Sequence, residues 1–66
     1  MIELWGADSC TACIQAKKLL EKTNLKWKYV DVAKTGFEGR IPRLKLDDGT
    51  EIVDLGPINA FIKKLG

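Results

Sequence analysis

Apolar positions change their spacing along the chain, and each change marks an element. Ile2-Glu3-Leu4-Trp5 is short and mostly apolar, as a buried strand would be. Gly6-Ala7-Asp8-Ser9 then reads as a turn, with Asp8 or Ser9 placed to cap a helix. From Thr11 to Lys22 the apolar residues Ala12, Ala16, Leu19 and Leu20 share one helical face, while Lys17, Lys18 and Lys22 stay mostly outside it. Ile14 projects away from that stripe, so its exposure is expected. Thr23-Asn24 closes the helix, with Asn24 as a left-handed terminator.

Lys26 to Val32 carries the β-branched and aromatic enrichment of a second strand. Strand, helix, strand in that order implies a right-handed parallel β-α-β unit. Ala33 to Arg40 holds two glycines and has room for one helical turn. Leu44-Lys45-Leu46 and Glu51-Ile52-Val53 flank Asp47-Asp48-Gly49-Thr50, and the Asp-Gly pair predicts an antiparallel hairpin. Gly56-Pro57 opens a last helix, with Pro57 in its first position and Ile58, Phe61, Ile62 and Leu65 on one face. Lys63 and Lys64 suit the negative end of its dipole. The predicted order is β-α-β-loop-β-β-α, an α/β fold with a four-stranded mixed sheet.

Size and charge narrow the function. Sixty-six residues support one core, hence a single domain over residues 1–66. Eleven basic and nine acidic residues give +2, and the lysines are dispersed, so nucleic acid is not an expected partner. No apolar run approaches the roughly 20 residues needed to span a bilayer, and no membrane partner is expected. Met1 to Trp5 lacks the basic flank and long apolar stretch of a secretion signal, which points to the cytoplasm. Histidine is absent, which removes hydrolase triads and histidine-based metal sites. Thiol chemistry survives.

Cys10-Thr11-Ala12-Cys13 is the reactive constellation. The spacing alone serves zinc knuckles, copper carriers, cluster proteins and redox enzymes. Its position says more, because the pair straddles the first turn of a helix that follows a strand. Unpaired backbone N–H groups and the positive dipole end there favour a thiolate at Cys10, with Asp8 in partial opposition. Cys13 lies about one turn along, within reach of a disulfide. Cys10 is therefore the expected nucleophile and Cys13 the more buried resolving thiol. Trp5 and Ile14 are candidates for an apolar collar around Cys10, and Phe37 for a plug in the shortened loop. Ile41-Pro42 precedes a short strand; were that bond cis and beside the cysteines, the Ile41 backbone would pair an extended substrate. Arg40 and Arg43 are candidate partners for a substrate carboxylate.

Cys10-Thr11-Ala12-Cys13 after strand one, Ile41-Pro42 before the hairpin, and the Gly56-led terminal helix together resemble a glutaredoxin of the thioredoxin fold, over Ile2 to Leu65. The family's helix between strand two and the proline is reduced to Ala33–Arg40, so the chain is similar to compact bacterial and phage members. The resemblance implies a minimal thioredoxin-like fold and a dithiol–disulfide oxidoreductase, with Cys10 as nucleophile, Cys13 as resolving thiol and Pro42 as the family's cis-proline. Substrate contacts are expected at Thr11, Trp5, Ile41, Pro42 and Arg43. No bound cofactor or metal is expected. Glutathione or a thioredoxin-type reductase would recharge a monomer, and a protein disulfide, with ribonucleotide reductase as a family-implied client, would be reduced. The chain departs from the family at Ala7, where a lysine is common, at Thr11-Ala12, where an aromatic is usual, and at Asp54 to Asn59, which replace paired glycines and an acidic residue. These departures shift the expected substrate from glutathione toward a protein disulfide. The competing expectation is a metal or iron–sulfur cluster carrier using the two thiolates.

Overall fold

The computed structural model describes residues 1–65. Strand β1 (Ile2–Gly6) leads through a turn into helix α1 (Thr11–Glu21), then β2 (Trp27–Asp31) and a single 3-10 turn (Val32–Lys34). A loop precedes the hairpin of β3 (Arg43–Lys45) and β4 (Glu51–Val53), and helix α2 (Leu55–Leu65) follows. The sheet runs β2-β1-β3-β4, with β1 parallel to β2 and every other neighbouring pair antiparallel. The α/β class, the mixed four-stranded sheet and the element order agree with the sequence reading.

Strand periodicity sorts the side chains onto two unlike faces. Leu4 sits level with Tyr29 and Leu44, and Leu44 with Ile52. This row meets Ala16 and Leu20 of α1 and Ile58 and Ile62 of α2 in one buried cluster. Both helices therefore cover the same side of the sheet. Cys13, Ale16-type spacing aside, belongs to this buried stripe: Cys13, Ala16 and Leu20 are the buried residues of α1. Ile14 is exposed, as its place off the stripe requires, and so is Leu65 at the end of α2.

The other face carries Trp5 and has no helix over it. The Phe37 ring meets Trp5 edge-on at 5.4 Å between centroids, and Lys45 places its ammonium 3.9 Å from the Trp5 ring centre. Arg43 lies 5.1 Å from the Phe37 ring and binds Glu51 at 2.7 Å. Phe37 thus plugs the space left by the short loop. Gly39 makes this possible, because a Cβ there would fall 2.3 Å from the Phe37 ring. Trp5 also donates its indole N–H to Glu3 at 3.0 Å, and Lys28 bonds the other Glu3 oxygen at 3.2 Å. These two contacts hold the Glu3 carboxyl below its usual range, the indole bond foremost. Phe37→Ala should cost about 1–2 kcal/mol, less than a fully buried phenylalanine, and denaturant titration will measure the loss.

Several local details differ from the sequence expectation. Cys10 itself occupies the helix cap with extended backbone (φ −94°, ψ 110°), while Asp8 and Ser9 form the turn before it. The helix ends without a left-handed residue. Thr23 donates its hydroxyl to the Leu20 carbonyl at 2.7 Å and accepts the Leu25 N–H at 3.2 Å, so a side chain satisfies what Asn24 was expected to satisfy. Helix α2 begins at Leu55, which makes Pro57 its third residue, still within the first turn where its missing N–H costs nothing. The hairpin loop closes as expected, with Gly49 at φ 93°.

Candidate active site

Topology gathers the chemistry at one end of the sheet. β1 ends at Gly6 and its parallel neighbour β2 at Asp31. The antiparallel β3 starts there, and β4 returns to it. Both helices consequently begin at this end, so their positive dipole ends lie together with Cys10 and Asp54. Asp54 ties the second helix in place: its N–H donates to the Pro42 carbonyl at 2.9 Å, and its carbonyl accepts the Ile58 N–H at 3.2 Å.

The two cysteines are free thiols in unlike settings. Cys10 is half-exposed at the cap, and its Sγ accepts the Cys13 backbone N–H at 3.2 Å. Capping positions normally use an oxygen for this contact; here a nucleophilic sulfur receives it. Cys13 is 1% exposed on the inward face of α1. Burial pushes the Cys13 thiol up to about 11, with the hydrogen bond to Cys10 and that sulfur's charge adding to the rise and the Ala7 backbone opposing it. One sulfur is open to attack a partner, and the other waits beneath it as a protonated thiol.

The raised Cys13 value has a stability consequence. The reduced folded chain keeps a proton that the unfolded chain releases from its ordinary value near 9.0 upward. The stabilisation is complete below pH 9 and is lost as pH rises to about 11, a change of order 2 kcal/mol. Denaturant titrations at pH 8 and pH 11 should show a larger alkaline loss for wild type than for Cys13→Ala. Tyr29, raised chiefly by burial and next by the Asp8 charge, titrates in both proteins and cancels in the comparison.

Gly6 lets Cys13 approach. A Cβ at Gly6 would lie 2.9 Å from both Cβ and Sγ of Cys13, and 3.5 Å from the Tyr29 ring. A side chain there would expel the resolving sulfur. Extending the β1–β3 register by one residue places Pro42 opposite Gly6, on the same buried side as Leu44. The Ile41-Pro42 bond is cis. Ile41 is half-buried and Thr11, the first residue of α1, is exposed beside Cys10.

Two residues expected at the substrate are placed elsewhere. Trp5 points to the helix-free face, opposite the side on which Cys13 is buried, so it forms no collar with Ile14; strand alternation from Leu4 and Gly6 dictates this. Arg43 shares that face, and its guanidinium is engaged by Glu51, the Arg40 carbonyl at 3.4 Å and the Phe37 ring. Ile14 does border a cleft of ≈ 150 Å³ lined also by Ala7, Asp8, Cys13, Lys17 and Tyr29, with Lys17 5.0 Å over the Tyr29 ring. Gly6, Tyr29 and Asp54 were not singled out from sequence. Their signal lay in strand parity for the first two, since both share the face of Leu4.

A larger cleft of ≈ 540 Å³ lies at the far end of α1, among Leu19, Leu25, Ile62 and Lys63, and contains neither cysteine. Its apolar lining reflects the open seam between two short helices, and the reactive groups define the site better than volume does. Among the described residues, no three His, Cys, Asp or Glu side chains are grouped to hold a metal, so a metal centre on Cys10 and Cys13 would need donors from outside them. Also among the described residues, no helix is long and apolar enough to cross a membrane. Comparison of the chain with protein families, curated proteins and solved structures finds no match.

Proposed function

We propose that the chain is a dithiol–disulfide oxidoreductase of the glutaredoxin type on a small thioredoxin-like scaffold. The observation that carries the reading is the asymmetric pair: an accessible Cys10 sulfur held at a helix cap by the Cys13 N–H, above a buried Cys13 thiol. The cis bond before Pro42, at the same end of the sheet, adds support.

In the first step the Cys10 thiolate attacks one sulfur of the substrate disulfide. A Cys10–substrate disulfide forms, and the other substrate sulfur leaves as a thiolate that takes a proton from water. Cys13 then loses its proton to solvent and attacks Cys10 Sγ. The Cys10–Cys13 bond forms, and the second substrate thiol is released. The substrate gains two electrons and the protein is left oxidised. A thiol or flavoprotein reductase returns those electrons. Once Cys10 carries the substrate, its negative charge is gone, and with it one of the influences that kept Cys13 protonated. The resolving thiol is thereby released at the stage that needs it.

The test is reduction of insulin disulfides with glutathione or with thioredoxin reductase as separate electron donors. Wild type should turn over with at least one donor, and Cys10→Ser with neither. Equal turnover in Cys10→Ser would remove the nucleophile assignment and the function with it.

A further inference from the structure

Asp54 is an unusual residue for its position. It is the non-glycine residue of positive φ among the described residues, at 77°, a conformation that glycine adopts with least cost. Its backbone bridges Pro42 and Ile58, so it sits where strand β3 meets the start of α2. Its carboxylate receives the Arg40 guanidinium at 3.3 Å. Arg43 is already bound to Glu51, which leaves Arg40 as the guanidinium of this corner that a ligand would compete for. The positive end of α2, the Arg40 charge and the dithiol therefore share one end of the molecule, and a carboxylate of the chain itself lies among them.

We propose that Asp54 is a specificity-determining residue: its carboxylate occupies the cationic corner beside the dithiol and so disfavours small thiols or disulfides bearing free carboxylates, leaving protein disulfides as the substrate. The inference rests on the dithiol reading above and deepens it. An incoming carboxylate must displace Asp54 from Arg40 and also meets its charge, whereas a protein disulfide brings no free carboxylate to the sulfur. Both effects act between exposed groups, so salt will weaken them.

Binding and turnover test it separately. The unreactive probe S-methylglutathione is titrated by NMR into the reduced wild type, Asp54→Gly, Asp54→Asn, and Asp54→Gly combined with Arg40→Gln. Glycine suits the left-handed backbone, so the first variant should fold, and the asparagine variant keeps the side-chain volume. Asp54→Gly and Asp54→Asn should bind the probe about tenfold tighter than wild type at low salt, and Arg40→Gln should remove the gain. The ratio of glutathione-disulfide to insulin turnover should rise in the same two variants. Probe affinities that stay within about twofold of wild type in both variants overturn the proposal. Absence of all turnover beside an intact binding gain would instead remove the oxidoreductase reading and keep Asp54 as the occupant of the corner.

Discussion

Cys13→Ser protein mixed with insulin will accumulate a covalent adduct through Cys10, and its multiple-turnover rate will fall by about 100-fold or more. The reason is the difference between a neighbour and a solute. Cys13 lies one helical turn from Cys10 and donates its N–H to that sulfur at 3.2 Å. A thiol held so close acts as if present at an effective concentration far above that of any dissolved thiol, by factors of about 10⁵ M and more in well-oriented systems. Removing it leaves the mixed disulfide to be cleared by external thiols. Serine differs from cysteine by one atom, and circular dichroism will verify that the buried site tolerates it. Mass spectrometry should place the adduct on Cys10. An adduct that decays as fast as in wild type would show that Cys13 does not resolve it, and the division of labour between the sulfurs would be wrong.

Leu44→Ala should lower stability by about 3–4 kcal/mol, the range for a leucine whose site cannot collapse. Leu44 is fully buried on the strand between β1 and β4, level with Leu4 on one side and Ile52 on the other. Ile58 and Ile62 belong to the same cluster. A domain of 66 residues has roughly 3–10 kcal/mol in total, so the variant should be marginal at 37 °C. Thermal melting followed by circular dichroism should show a midpoint lowered by about 12–24 °C. The same change at Leu65, which is 53% exposed, should shift the midpoint by only a few degrees. A small effect at Leu44 would mean that the buried cluster is not the cooperative core.

The sequence made the elements legible because each has a strong local signal. The Asp48-Gly49 turn and the Ile58–Ile62 spacing are examples, and the observed hairpin and α2 follow them. The dithiol was legible for the same reason, since Cys10 and Cys13 sit at the start of a recognisable helix. What was not legible depended on which face of the sheet a residue takes. Trp5 looks like a site residue by proximity in the chain, yet strand alternation turns it away while Leu4 and Gly6 turn inward. Arg43 is diverted by Glu51, eight residues on and directly diagonal across the hairpin, a pairing that needs the register to be known. Capping by Cys10 in place of Asp8 or Ser9 is a matter of one residue in the turn, below what propensity resolves. Asp54 is hidden for a further reason: positive φ at an aspartate has no sequence mark.

The placement of β1 has a bearing on motion. It is bonded on both sides, by β2 and by β3, whereas the segment over residues 35–42 lacks any strand or helix. Amide hydrogens of β1 should therefore exchange with deuterium last, near the rate set by global unfolding, and those of residues 35–42 first. Because Gly6 ends that slowest strand and touches Cys13, the resolving sulfur is anchored to the part of the molecule that opens least. The mobile side of the reaction is then the substrate's.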